Sequence, residues 1–378
     1  MLNRIHLENF KANRDVDVRL ASLTVLAGLN SSGKSTLLQA IGLLRQSYGR
    51  DGSTSGLALS GPFVQIGKFI DLLSEGTTDD FVRITLTQDG QTYRWAVGGA
   101  LDSSQIHFRE WPDSLPSFIR STKFQFLQAN RIAPQTLYPQ GTQEARETGF
   151  LGARGEYTID FLGLSGDQKV SGGRTFPTTG IELDANLLAK VSATEKLLDQ
   201  VSGWLQQLSP GARLRTQLIP GTDEVLLQYQ YERVSRDVSS NFYRPTNVGF
   251  GLTYSLPIIV ACLAAPPGAL LLLENPEAHL HPQGQAALGE LISKVANDGV
   301  QIIVETHSDH LLNGIRRSVK KEFIQAQEVA MHFFSRSPDN GESFVQSPVL
   351  LANGRVSNWP RGFFDQWDKD IEAILSES

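Results

Sequence analysis

Residues 28–36 read Gly28-Leu29-Asn30-Ser31-Ser32-Gly33-Lys34-Ser35-Thr36, a G-x-x-x-x-G-K-S string directly after the mostly apolar run 23–27. No other stretch restricts the fold so tightly. The apolar run reads as a buried strand, and Thr36-Leu37-Leu38-Gln39-Ala40-Ile41 reads as the opening of a helix. A glycine-bounded loop between the two lets main-chain N–H groups converge on phosphate, with the positive end of the helix behind them. Asn30, Ser31, Ser32, Gly33, Lys34, Ser35 and Thr36 are therefore the candidate nucleotide-binding residues. In this pattern Lys34 reaches the β- and γ-phosphates and the Ser35 hydroxyl holds Mg²⁺.

Composition narrows the rest. A net charge of −6 over 378 residues argues against a wholly basic nucleic-acid coat, though not against a local basic groove. Cys262 is the sole cysteine, which excludes intrachain disulfides and any multi-cysteine zinc site and fits a reducing, cytoplasmic setting. Arg4, Glu8, Lys11 and Arg14 leave no apolar signal-peptide core. Residues 256–273 carry no charge, yet Pro266-Pro267-Gly268 breaks the run and Glu274 ends it. A buried helix, a tight turn and a buried strand are expected there, not a membrane span.

The chain divides by pattern into four segments: 1–98, 99–245, 246–345 and 346–378. In the first, alternating apolar residues predict strands before the phosphate loop, and Asp89-Gly90 predicts a hairpin between 82–87 and 91–95. The second is an insertion. Its glycine- and threonine-rich stretch 141–180 reads as loop, 187–208 has helical spacing, and Pro220-Gly221-Thr222-Asp223 predicts another hairpin. In the third, an apolar helix over 255–265 precedes the strand Ala269-Leu270-Leu271-Leu272-Leu273-Glu274; a helix over 282–297 and a strand over 300–304 follow. That succession implies a parallel sheet with ligand groups at the carboxyl ends of its strands. The expected fold class is α/β: a P-loop NTPase with a mixed, largely parallel core sheet, an antiparallel β subdomain and an inserted α/β region.

Leu270-Leu271-Leu272-Leu273-Glu274-Asn275-Pro276-Glu277-Ala278-His279-Leu280-His281-Pro282 resembles the Walker B segment and following loop of ABC-type ATPases. The likeness is to the OLD/RecF/SMC-like branch. Thr306-His307-Ser308 resembles that family's switch histidine, and Gly249-Phe250-Gly251 stands at a helix start where its signature motif belongs. The ending Asn358-Trp359-Pro360-Arg361-Gly362-Phe363-Phe364-Asp365 resembles AAA-family ATPases with a small C-terminal domain of unknown function. The resemblance implies an ATPase head of ABC type using ATP and Mg²⁺. Glu274 would bind the metal and His307 would contact the γ-phosphate or the attacking water. Gly249 and Gly251 would approach the nucleotide of a second subunit, making a homodimer closed around ATP. Gln65 is the candidate for the glutamine that links Mg²⁺ to the flexible lobe. The resemblance further implies a regulatory subunit in phage defence or DNA maintenance, with a nuclease or toxin encoded nearby as effector. DNA is a candidate partner, and no Toprim nuclease is expected after residue 310.

The chain departs from the family where a second acidic residue normally follows the metal carboxylate: it has Asn275. An amide positions water but does not take its proton, and losing a general base costs roughly 10²–10⁴-fold. Slow hydrolysis is expected, with Glu277 as the candidate substitute. The rival expectation is a non-catalytic scaffold, locked by ATP, that holds or silences an effector. His279 and His281 flank Leu280 and suit loop packing better than zinc, and Arg131 is expected in a salt bridge. The basic run 316–321 reads as a solvated helix end, and Trp359, Phe363, Phe364 and Trp367 as a docking face for the tail.

Overall fold

The computed structural model describes residues 1–177, 194–232, 240–337, 341–360, 371–372 and 374–375. The chain forms two compact units: 1–121 with 303–312 and 319–378, and 122–302 with 313–318.

The first unit opens with strands β1 (Leu2–Phe10), β2 (Asn13–Arg19) and β3 (Leu23–Gly28), then helix α1 (Lys34–Ser47). A small pair follows, β4 (Leu57–Ala58) with β7 (Gln105–Ile106), around the hairpin β5 (Val82–Gln88) and β6 (Gln91–Val97); β8 is Phe108–Glu110. Strands β2-β1-β5-β6-β8 make an antiparallel sheet. Its apolar residues Ile5, Leu7, Ile84, Leu86 and Trp95 are buried, as period-2 alternation requires. The hairpin turns on Asp89 and Gly90, both with positive φ (51° and 84°), the geometry that Asp-Gly is suited to.

The second unit holds β9 (Phe124–Leu127), β10 (Leu137–Pro139), helices α2 (Gln143–Thr148), α3 (Thr158–Ser165) and α4 (Leu197–Leu205), and the hairpin β11 (Ala212–Leu218) and β12 (Glu224–Tyr231). The apolar helix α5 (Phe250–Ala264), strand β13 (Leu270–Glu274) and helix α6 (Pro282–Asn297) follow. Stretch 256–273 is thus a buried helix end, a turn through Gly268 at φ 79° and a buried strand. Among the described residues no helix is long and apolar enough to cross a membrane. Arg174, 1% exposed, stitches the end of α5 to the end of α6: it donates to the Cys262 and Ala265 carbonyls and pairs with Asp298. It thereby satisfies carbonyls that a helix leaves free at its C-terminus.

Strand β14 (Gln301–Glu305) carries the chain from the second unit into the first, followed by α7 (Asp309–Lys320), β15 (Val329–Arg336) and β16 (Ser343–Gln346). In the first unit the core order is β16-β15-β3-β14, with β15 parallel to β3 and the Thr306 N–H donating to the Leu26 carbonyl. In the second it is β14-β13-β9, with β13 parallel to β9 and the Gln301 N–H donating to the Ala269 carbonyl. The fold is α/β with a mixed sheet, as expected.

Two readings need amendment. The glycine-rich stretch expected as loop contains α2 and α3. Thr142 caps α2 at its start, Gly149 ends it with φ 67°, and Arg146 pairs with the buried Asp160 of α3. A tertiary ion pair and two caps hold helices too short to show periodicity. The apolar helix begins at Phe250, five residues earlier than its apolar pattern suggested. Of the helix expected over 187–208, only α4 and its neighbours fall among the described residues, and Phe363, Phe364 and Trp367 lie outside them.

Candidate functional site

Strand β3 delivers the chain into the loop 28–33, and α1 starts at Lys34 with no side-chain cap on its first turn. The loop's turns rest on positive φ at Gly28 (138°), Ser31 (59°) and Gly33 (94°). The φ of 94° holds Gly33 to glycine; a Cβ there would also lie 2.3 Å from Asn13 Oδ1 and 2.6 Å from Ser343 Oγ, side-chain ends that would have to shift. Asn13 also donates to the Gly33 carbonyl at 3.2 Å, and Ser32 donates to that of Leu29 at 2.7 Å. Asn30 and Ser31 are exposed at the loop's tip, while Ser32, Lys34 and Thr36 are buried.

The Lys34 ammonium closes over the loop, donating to the Gly28 carbonyl at 3.1 Å and the Leu29 carbonyl at 2.6 Å. Burial pulls it below the ordinary lysine range, and nearby Glu305 acts the other way. Ser35 donates to Glu305 Oε1 at 2.9 Å. His307, two residues past Glu305, sits below the ordinary imidazole range; partial burial is the larger cause and the Lys34 charge the next. A hydrogen bond with the Gly28 backbone opposes both. A neutral imidazole offers one donor and one acceptor, which suits ordering a water or a phosphate oxygen. So in the first unit the strand end of β14 meets the loop that the motif defines.

In the second unit, Glu274 ends β13 and accepts the Ala129 N–H at 3.0 Å. β9 is parallel to β13 with Leu127 opposite Leu273, which sets Gln128 level with Glu274 at the strands' carboxyl ends. Asn275 follows with φ 42°. Asparagine, like aspartate, tolerates this left-handed conformation better than most non-glycine residues. Its Oδ1 is buried and unpartnered among the described residues. Glu277 is 7% exposed. His279 also has positive φ (65°), and its ring packs on Phe250 and Tyr254 at 4.5 and 4.9 Å. His281 instead caps α6 through the Gln283 N–H. The two rings are thus spoken for by packing and capping.

Arg131, 2% exposed, organises this unit's strand ends. Its guanidinium donates to the carbonyls of Glu274 (2.8 Å), Asn275 (2.9 Å), Tyr254 (3.0 Å) and Gln128 (3.2 Å), and stacks 4.4 Å from the Tyr254 ring centroid. Burial lowers its pKa to about 10, against the pull of Tyr254, Glu277 and Glu274. The expected salt bridge is replaced by main-chain oxygens. An arginine fork serves several acceptors at once, which sequence alone does not reveal.

Gly249 and Gly251 have different reasons to be glycine. A Cβ on Gly249, the residue before α5, meets nothing within 4 Å, whereas one on Gly251 would lie 2.5 Å from the His279 carbonyl. Gly251 lets α5 lie against the loop after β13; Gly249 leaves the helix N-terminus open. Gln65 is exposed and bridges to Ser60 in the first unit. Sequence reasoning passed over Glu305, which ends β14, and Gln128, which directly follows β9; neither lies in the stretch whose Walker B resemblance marked Glu274.

A family model described as "AAA domain, putative AbiEii toxin, Type IV TA system" matches residues 23–313, and one described as "Protein of unknown function (DUF3696)" matches 324–374. No curated protein sequence matches the chain. Among solved structures, an SMC head bound to the C-winged helix domain of ScpA is similar at TM-score 0.51 and 15% identity, covering 92% of this chain and 98% of that one. An Smc head domain with an extended coiled coil, bound to the C-terminal domain of ScpA derived from Pyrococcus furiosus, is similar at TM-score 0.52 and 14% identity over 100% of both chains. At such identities the likeness is one of fold.

Proposed function

The chain belongs to the AAA-domain family, and from that premise we propose that it binds ATP with Mg²⁺, hydrolyses it slowly and dimerises around it. The observation that carries the reading is the closed loop of the first unit. Lys34, His307 and the Gly28 backbone form one hydrogen-bonded group, with Ser35 against a carboxylate. The donor set fits the ligand: an ammonium now held by carbonyls turns to phosphate oxygens, and a hydroxyl beside a carboxylate suits Mg²⁺. Bound Mg²⁺ would neutralise charge developing on the phosphates. In this reading Ser35 and Glu274 hold the metal, Gln65 is retained as its link to the flexible lobe, and His307 orders the attacking water. Glu277 substitutes for the general base missing at Asn275. Gly249 and Gly251 serve the nucleotide of a second copy.

The finer assignment, to the OLD/RecF-like branch and to a regulatory subunit in phage defence or DNA maintenance, is supported by the sequence resemblance. The toxin–antitoxin wording attached to the matching family adds to it. The effector would be a separate nuclease or toxin, and the setting cytoplasmic. A DNA-contacting role of RecF type rests on resemblance alone; it would appear as ATP-stimulated, salt-sensitive DNA retention.

Asn275 favours a second reading, in which ATP only locks a scaffold. Phosphate release separates the two. The ATPase reading expects slow release from the wild type and a further fall of about tenfold or more in Glu274→Gln, through loss of a metal carboxylate. Equal background rates in both proteins would leave the scaffold.

A further inference from the structure

We propose that Glu305 is a second carboxylate of the Mg²⁺ site, holding the metal end of the nucleotide through Ser35. The inference deepens the ATP-binding reading and rests on it. Glu305 ends β14 and is 4% exposed, so its charge is desolvated and needs a partner on site. Two groups of the phosphate loop's first helical turn supply that. The Ser35 hydroxyl donates to Oε1 at 2.9 Å, and the Lys34 ammonium stands 3.9 Å from the same oxygen. Both are the residues that change partners when a triphosphate arrives: Lys34 moves its charge to the β- and γ-phosphates, and Ser35 turns a lone pair to the cation.

Nucleotide binding would draw the Lys34 charge away from this buried carboxylate. A divalent ion beside Ser35 restores the balance. A hydroxyl and a carboxylate already within hydrogen-bond distance form the kind of oxygen pair that Mg²⁺ takes, directly or through one of its waters.

The test uses the whole chain and a fluorescent ATP analogue, titrated with Mg²⁺ from an EDTA baseline. In Glu305→Gln, which keeps an acceptor for Ser35 but loses the charge, binding in EDTA stays within about threefold of wild type while the half-saturating Mg²⁺ concentration rises about tenfold or more. Glu305→Asp falls between the two. An unchanged Mg²⁺ requirement in Glu305→Gln overturns the proposal. An experiment on the unmutated chain guards against misfolding: Fe²⁺ in place of Mg²⁺, with ATP, hydrogen peroxide as oxidant and ascorbate to recycle the iron, cleaves the backbone next to its ligands. Cuts at both 35 and 305 support the assignment, and cuts at 35 without 305 overturn it. Failure of the wild type to bind the analogue with or without Mg²⁺ would instead overturn the ATP reading itself.

Discussion

Arg131→Met lowers the free energy of unfolding by about 3–5 kcal/mol, measured from denaturant midpoints at unchanged slope. Arg131 is 2% exposed and serves the main-chain oxygens of Gln128, Tyr254, Glu274 and Asn275. Methionine fills similar volume but leaves those oxygens without their donor, at roughly 1–3 kcal/mol for each acceptor that water does not reach. The losses do not add fully, because the four groups relax together. Arg131→Lys should recover little: a single ammonium lacks the planar fork that reaches several carbonyls at once. A loss below about 1 kcal/mol in both variants would show that the guanidinium is not what fixes these strand ends.

Gly28→Ala costs about 3 kcal/mol or more, for a reason unrelated to phosphate. Gly28 faces Phe334 across the parallel pair β3–β15, with φ at 138°. An added Cβ would fall 2.1 Å from the Phe334 carbonyl oxygen, so the two strands would have to part. Gly90→Ala is the control: its φ of 84° also disfavours a side chain, but nothing lies within 4 Å of the new methyl. Conformational strain alone is worth about 1 kcal/mol. Equal losses in the two variants would mean that strain, and not the strand contact, reserves Gly28 for glycine.

These two residues show where sequence was readable and where it was not. The loop at 28–36 was legible because spacing, strand and helix all sit within a few residues. The Asp89-Gly90 hairpin, the break at Pro266-Pro267-Gly268 and the strand ending at Glu274 are local signals of the same kind, and each became the expected element. Arg131 was opaque because most of its partners come from two distant segments and are main-chain oxygens, which look alike in every sequence. Glu305 was overlooked beside the more conspicuous His307; only the sheet order β3-β14 brings it to Ser35. Asn275 was legible as a departure from the family, but its left-handed backbone was not. Helices α2 and α3 escaped because a long-range ion pair and caps, rather than periodicity, hold them.

Equilibrium binding of ATP in the presence of Mg²⁺, compared between wild type and Lys34→Ala, tests the central claim most directly. Lys34 reaches across the loop to the Gly28 and Leu29 carbonyls. Its loss removes the one loop cation that the phosphates would recruit. The account predicts saturable binding by the wild type and affinity weaker by about 100-fold or more in Lys34→Ala, with the variant still folded by its denaturant midpoint. No binding by the wild type, or equal binding by both proteins, would contradict it.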